Sequence, residues 1–466
     1  MSASEAAGAV IHRDRSFWFD SSAPYSPSPP VRGDQRFDVC ILGGGITGLS
    51  TAYHLRKLDP ALSVCLLESE VVGFGASGRN AGQLIVEFGG GSHAGQVKTY
   101  GASRVGDAWR YVAEGIALLA ELEASEGLDF DYARTGYMKV ALKAEGPKAI
   151  ESYARFLRAI GQESAFEILS PAAVADELSS PLLGAALFDP RGGQFNPLKL
   201  VRGLKRLIER MGVRVFEQSP ALLFKLNPGK IRVETGMGGV ACDRLVLATN
   251  AYSHLIAGAR QAGLSRRQIP LIVKATVTEP LPLSAWSDRG WKRRCGVNVV
   301  SDLFYSFAPT ADGRILHVGG YYATSPAGHG FGAEAEWRLK DEGADHLGAF
   351  FPKLADLKTA QTWGGPISLT SDWIPHVGRA PDPRVVYAFG CWGHGMALGM
   401  HNGATLAELT LERATDRTDL WFVTRKKPNW PPDAVTTVVT NQVVAKGRKR
   451  ARAIGAKLTP PLTFSV

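Results

Sequence analysis

Residues 38–48 read Asp-Val-Cys-Ile-Leu-Gly-Gly-Gly-Ile-Thr-Gly, and an acid, Glu68, follows twenty positions later. Asp38 to Leu42 form an apolar run suited to a buried parallel strand. Gly43 permits a tight turn, Gly45 lets the backbone approach a pyrophosphate, and Gly48 lets the next helix pack closely on the strand. Ile46 and Thr47 open that helix, whose free N–H groups and positive dipole end face the phosphates. Ser63 to Leu67 predict a second strand. Glu68 at its end, with Ser69 beside it, is placed to accept hydrogen bonds from ribose hydroxyls. Strand, glycine turn, helix and acid in this order predict a dinucleotide-binding α/β unit. The acid favours an unphosphorylated ribose, so FAD or NAD over NADP.

A second glycine-rich loop decides between the two. Gly73 to Gln83 includes Gly75, Ala76, Ser77, Arg79, Asn80, Ala81, Gly82 and Gln83. Such a loop can wrap a second phosphate region and approach a flavin ring, which an NAD domain does not need. Further segments add motifs of their own: Ser16-Phe-Trp-Phe-Asp20, Pro29 to Asp34, Gly192-Gly-Gln-Phe-Asn-Pro197, Leu245 to Tyr252, Trp363 to Thr370 and Gly390-Cys-Trp-Gly-His-Gly-Met396. On these motifs, across residues 16–412, the chain resembles the FAD-dependent amine and amino-acid oxidases of the D-amino-acid oxidase superfamily. The nearest likeness is to gamma-glutamylputrescine oxidase and the glycine–sarcosine oxidase-like enzymes.

The resemblance implies an α/β protein with a discontinuous Rossmann-type FAD-binding domain and a second, mixed-sheet (α+β) substrate domain. Its expected course is an N-terminal arm at 1–35 and FAD-domain parts at 36–105, 191–268 and 363–415. Substrate-domain parts fall at 106–190, read as a largely helical insertion with a strand-like stretch from Phe130 to Leu142, and at 269–362. Residues 416–466 are a basic C-terminal extension. Pro197 sits at a helix start, and 403–412 read as the last helix of the FAD domain. Non-covalent FAD is the implied cofactor: where some relatives attach flavin through a Cys near the Trp363 segment, this chain has Ile367, Ser368 and Leu369.

The 466 residues are 45% hydrophobic and 21% charged, enough for a large core without expected disorder in the body. Five scattered cysteines suggest neither a disulfide framework nor a metal site, and no metal is expected. No run of about 18 apolar residues predicts a membrane span. Met1 to Val10 lack the basic and apolar regions of a signal peptide, so a cytoplasmic location is expected. The net charge of +9 is concentrated in the tail, where nine basic residues from Arg425 to Lys457 oppose only Asp433. The body is therefore near neutral, and no nucleic-acid partner is expected. Val435 to Val444 read as a possible strand and Ala445 to Ala456 as partly helical. The tail is either a solvated extension or an element docking on lipid, another subunit or an electron-accepting partner.

Oxidising an amine through a flavin requires orientation of the amine more than acid–base machinery. Thr249 and Asn250 follow the strand expected at the adenine end. Trp392, Gly393, His394, Gly395 and Met396 follow an apolar strand, and their glycines let backbone approach the flavin; Trp392 reads equally as a core residue. His317 stands where related sarcosine oxidases carry an oxygen-activating Lys, and reads either as a cation or as a neutral strand histidine. The basic anchors that relatives use for a substrate carboxylate are missing from Leu84 to Phe88, and a second falls on Ala397. Glu87 reads either as an attractor of a cationic amine or as an exposed loop acid. Tyr305, Tyr321, Tyr322 and Trp363 are candidate cation–π walls or core aromatics. The expected activity is FAD-dependent oxidation of a C–N bond in a small-molecule amine or N-substituted amino acid. The imine formed would hydrolyse to an aldehyde or oxo acid, with electrons passing to oxygen or another acceptor. The other readings are a D-amino-acid or N-alkyl amino-acid dehydrogenase, and a redox-silent subunit with a docking tail.

Overall fold

The computed structural model describes residues 15–300, 305–322 and 343–455. Two eight-stranded sheets organise it. The first runs in the order His376–Arg379, Val385–Phe389, Gly238–Leu247, Gly33–Leu42, Val64–Leu67, Arg214–Phe216, with two further strands branching from Gly238–Leu247. The four pairings among its inner strands are parallel. Cys40, Ile41 and Leu42 are fully buried, as strands covered on both faces by other elements require. The chain reverses at Gly43, whose φ is +109°, and enters the helix Ile46–Leu58. That helix packs against Gly395–Thr410, where Ser50 Oγ donates to the Met400 carbonyl at 2.6 Å.

The second sheet runs Thr359–Leu369, Ile269–Thr278, Ile315–Tyr322, Tyr305–Pro309, Gly296–Val299, Tyr137–Leu142, Leu183–Asp189, Glu167–Leu169. All its pairings are antiparallel except Gly296–Val299 with Tyr137–Leu142. Residues 106–190, expected to be largely helical, contribute three of its strands besides the helices Ala102–Glu126, Lys148–Ala159 and Pro171–Glu177. Phe130 to Leu142, read as strand-like, ends in the strand Tyr137–Leu142; the strands Glu167–Leu169 and Leu183–Asp189 carry no clear alternation. The N-terminal arm wedges Phe17, Trp18 and Phe19 into the core, and Trp18 Nε1 donates to the Asn80 carbonyl at 2.9 Å. This braces the 75–83 loop from behind.

Val435 to Val444, expected as a strand, lie inside the helix Asp433–Gly455. β-branching favours strands only where a pleated neighbour exists. Here Val435 and Val438 face solvent, so nothing pairs with them.

Four histidines are neutral in the fold, His317, His376 and His401 buried and His54 half-buried. Burial holds His54, His376 and His401 at about 4 and His317 at about 3, below the ordinary 6.5. An unfolded chain takes up these protons near pH 6.5, whereas the folded one resists until near pH 4. Their contribution to stability is therefore complete above about pH 6.5 and is lost as pH falls through that window. We expect urea midpoints to drop between pH 7 and pH 5 by the equivalent of about 1 kcal/mol per pH unit per histidine. A midpoint that is flat over this range would contradict the burial of these rings.

Candidate active site

A cavity of about 1790 Å³ lies between the two sheets, more than a single drug-sized ligand fills. At one end the helix Ile46–Leu58 begins at Gly45 without a side-chain cap. Beyond Ile46, its first-turn N–H groups are thus available to an anion. Ser77 Oγ accepts from Ile46 N–H at 3.0 Å, tying the second glycine loop to this helix start. A Cβ on Gly43 would stand 2.8 Å from the Ala248 carbonyl oxygen, so the turn admits only glycine. Glu68 lines the recess and accepts from Gly44 N–H at 2.7 Å and Glu70 N–H at 3.1 Å. Burial raises its pKa against these hydrogen bonds. An uncapped helix end, a glycine-only turn and an acid at ribose reach fit the diphosphate and ribose of FAD.

The other residues expected to hold the cofactor divide by role. Thr47, Ser69, Gly75, Ala76, Arg79, Asn80, Ala81, Gln83, Thr249, Asn250, Gly393, Gly395 and Met396 lie on the cavity wall. Gly48 and Gly82 do not; they act through packing. Arg79 spans the site, with Nε donating to the Phe74 carbonyl at 2.9 Å and a terminal nitrogen to the Gly364 carbonyl at 3.0 Å. Asn250 Oδ1 accepts from Gly390 N–H at 3.1 Å, joining the 249–250 turn to the Gly390–Met396 loop.

The floor at the opposite end is one row across the second sheet. Pairing aligns Trp363 with Ala275, Ala275 with Val318, Val318 with Ser306, Ser306 with Asn298, and Asn298 with Lys139. Directly paired residues share a face, and all six line the cavity. The row grades from aromatic through apolar and polar to cationic. Gln83 clamps its polar half: Nε2 donates to Ser306 Oγ at 2.7 Å, and Oε1 accepts from Asn298 Nδ2 at 3.1 Å. Trp363 Nε1 donates to the Arg79 carbonyl at 2.9 Å, which fixes the indole at the apolar end.

At the cationic end Lys139 Nζ pairs with Glu87, whose other oxygen lies 3.7 Å from His93 Nε2. Glu87 is thus a buried, ion-paired group, and the exposed-loop alternative does not hold. Burial opposes its charge, but Lys139, with His394 and His93, holds its pKa well below the usual carboxylate range. His394 precedes the helix Gly395–Thr410 and lines the cavity. Its Nδ1 is buried without a hydrogen-bond partner among the described residues. Burial lowers its pKa against the pull of Glu87, so the ring is neutral near pH 7. Trp392, at φ +54°, donates from Nε1 to Thr370 Oγ1 at 3.0 Å and stacks on Trp373 at 4.3 Å.

One expected residue faces elsewhere. His317 pairs with Thr276 on the opposite face of the sheet, and its ring lies between Tyr305 and Phe307 at 5.3 and 4.5 Å. Neutral and walled off, it is not the cation expected there. Tyr305 contributes to the cavity lining, while its ring stacks on that of His317 and its hydroxyl shares a hydrogen bond with His346 Nδ1 at 3.1 Å. The side chains of Tyr321 and Tyr322 lie outside the described residues.

Sequence reading missed two contributors. Lys139 carries no local motif; only strand pairing reveals it. The C-terminal segment also walls the cavity through Trp430, Val439, Thr440, Lys446 and Arg450. Trp430 anchors that segment, with N–H donating to the Arg266 carbonyl at 2.7 Å and Nε1 to the Leu369 carbonyl at 3.0 Å. We expect truncation after Pro432 to speed FAD loss about tenfold, equivalent to about 1.4 kcal/mol, read as the fluorescence of released flavin. An unchanged release rate would leave the helix without a role at the cofactor.

Residues 38–409 match the family described as DAO, FAD dependent oxidoreductase. A probable oxidoreductase, OrdL, of Haemophilus influenzae is 30% identical over 403 residues, covering 85% of this chain and 88% of its own. Gamma-glutamylputrescine oxidoreductase of Escherichia coli is 29% identical over 394 residues, covering 84% and 88%. The crystal structure of glycine oxidase from Geobacillus kaustophilus superposes with a TM-score of 0.69 at 20% identity, covering 84% of this chain and all of that one. At that identity the superposition speaks for the fold alone.

Proposed function

Starting from a chain that belongs to the FAD-dependent oxidoreductase family (DAO), we propose that it oxidises a C–N bond in an amine or N-substituted amino acid. The substrate would lose its C–H hydrogen together with the two bonding electrons and its N–H hydrogen as a proton, giving an imine that water hydrolyses to an aldehyde or oxo acid and an amine. FAD, when bound, is the acceptor of those electrons; oxygen or an accepting partner takes them onward. Gamma-glutamylputrescine oxidoreductase and glycine oxidase among the relatives support this class. The same proposal places the enzyme in the cytoplasm, consistent with five free cysteines. No helix among the described residues is long and apolar enough to cross a membrane.

The observation that carries the reading is the pairing of a dinucleotide cradle with a neutral, unpartnered imidazole in the same cavity. An amine gives up its C–H electrons readily only when its nitrogen carries no extra proton. His394 can take that proton, and the nearby Glu87 carboxylate stabilises the resulting imidazolium. The apolar half of the floor, Ala275 and Val318, keeps water from that side of the substrate. Ser306 and Asn298, held by Gln83, offer fixed polar contacts on the other.

The test is anaerobic bleaching of the flavin band by polyamines, acylated diamines, N-methyl amino acids and D-amino acids. Rapid bleaching by one of these classes is expected. Intact flavin with no bleaching by any of them would overturn the proposal in favour of a redox-silent subunit.

A further inference from the structure

We propose that the stacked pair Trp373 and Trp392 is a subsite for an ammonium cation, which makes Trp392 a positioning residue for the substrate's protonated amine. The subsite stands on its own geometry; taking its ligand to be the substrate rests on the C–N oxidation reading. Both indoles line the cavity, Trp392 half-buried and Trp373 41% exposed. Their rings stack at 4.3 Å and 22°. Each residue holds a left-handed backbone, at φ +66° for Trp373 and +54° for Trp392. Bulky residues rarely adopt that conformation, and it persists only where the surroundings impose it. Thr370 imposes it here. It is fully buried, its carbonyl accepts from Trp373 N–H at 3.4 Å, and its Oγ1 accepts from Trp392 Nε1 at 3.0 Å. A glycine loop closes one edge of the stack, where Gly90 N–H donates to the Trp373 carbonyl at 2.8 Å. A Cβ on Gly90 would stand 2.7 Å from the Trp392 ring and 3.0 Å from the Trp373 ring, which puts this glycine at the border the two rings share. The result is a fixed aromatic platform in the cavity wall.

The platform offers a ligand its π faces. The Trp392 N–H, the positive edge of that ring, is spent on Thr370, so an anion finds no donor on the deeper indole. The electron-rich face remains, and a cation is what it attracts. No Lys or Arg among the described residues lies over either indole, although such cations cover Tyr25, Phe74 and Trp286 elsewhere. The chain thus leaves these faces to a cation that comes from outside. An alkylamine arrives near pH 7 as an ammonium. A π face holds that charge without accepting its proton, so His394, two residues along, remains the group that takes it. A carboxylate in the same place would instead raise the amine's pKa and oppose the transfer.

The experiment uses the oxidised holoenzyme, needs no turnover and reads binding by calorimetry. The probes are choline, the tert-butyl alcohol of the same shape with carbon in place of the charged nitrogen, and the matching tert-butyl carboxylate. Choline is expected to bind at least ten times more tightly than its uncharged isostere. Difluorotryptophan placed at position 392 keeps the ring's shape and drains its face. It should narrow that ratio at least threefold, with FAD content and Tm unchanged. Trp392→Leu should abolish the preference and Trp373→Leu should reduce it; the fluorinated enzyme decides the matter if either fails to fold. An isostere that binds as tightly as choline, a carboxylate that binds more tightly, or a fluorinated enzyme with the parent's ratio would each overturn the subsite. Choline discrimination as expected, in an enzyme that no amine reduces, would instead sink the C–N oxidation reading and leave the subsite standing.

Discussion

Gly48→Val is expected to give a protein that purifies without FAD. A Cβ at this position would run into the carbonyl oxygen of Gly43, the residue that turns the chain from strand to helix. Neither partner can move: Gly43 is fixed at φ +109° by the turn, and its N–H donates to the Leu67 carbonyl at 2.9 Å. The helix Ile46–Leu58 must then lift from the strand Gly33–Leu42, carrying its first-turn N–H groups away from the diphosphate. Catalytic side chains are untouched, so any loss of activity would follow cofactor occupancy. We expect FAD affinity to fall at least a hundredfold, about 3 kcal/mol, measured by flavin fluorescence titration, with circular dichroism close to the parent's. Retention of yellow, stoichiometric protein would refute the close-packing role of this glycine.

The second large effect concerns stability. Glu87→Leu leaves the Lys139 ammonium buried without its counter-charge, and Lys139→Met does the same to the Glu87 carboxylate. Each single change is expected to destabilise the fold by about 3–5 kcal/mol, whereas the double change should be nearly neutral. A double-mutant cycle from chemical denaturation reads this directly. Additive losses would mean that the two charges are solvated independently and that the pair is not a unit.

The parts of this molecule legible in sequence were the parts made locally. The 38–48 turn, the acid at Glu68 and the Ser77 loop are each specified by spacing within thirty residues, because a phosphate cradle needs contiguous backbone. The substrate end is made by strand pairing, and pairing is not written locally. His317 and Val318 are neighbours in sequence, yet one lies behind the sheet and the other on the cavity floor. Only the register against Thr276 and Ala275 tells which. The same ignorance left Lys139 unremarked. In the tail, β-branched composition pointed to a strand, but no sheet edge was there to accept one.

The floor row also says something about how such a site can change. The pairing of Ile315–Tyr322 with Ile269–Thr278 already passes over Gly320, since Val273 meets Tyr321 and Lys274 meets Gly319. Strand parity here is therefore set by a single irregularity. Moving that irregularity past Val318, by inserting or deleting one residue, would exchange Val318 for His317 on the cavity floor while leaving every amino acid of the strand in place. A lineage could thus acquire a histidine at its reaction centre in one step of length, with no substitution at all. Alignments that score such sites column by column would record the event as a gap and miss the change in chemistry.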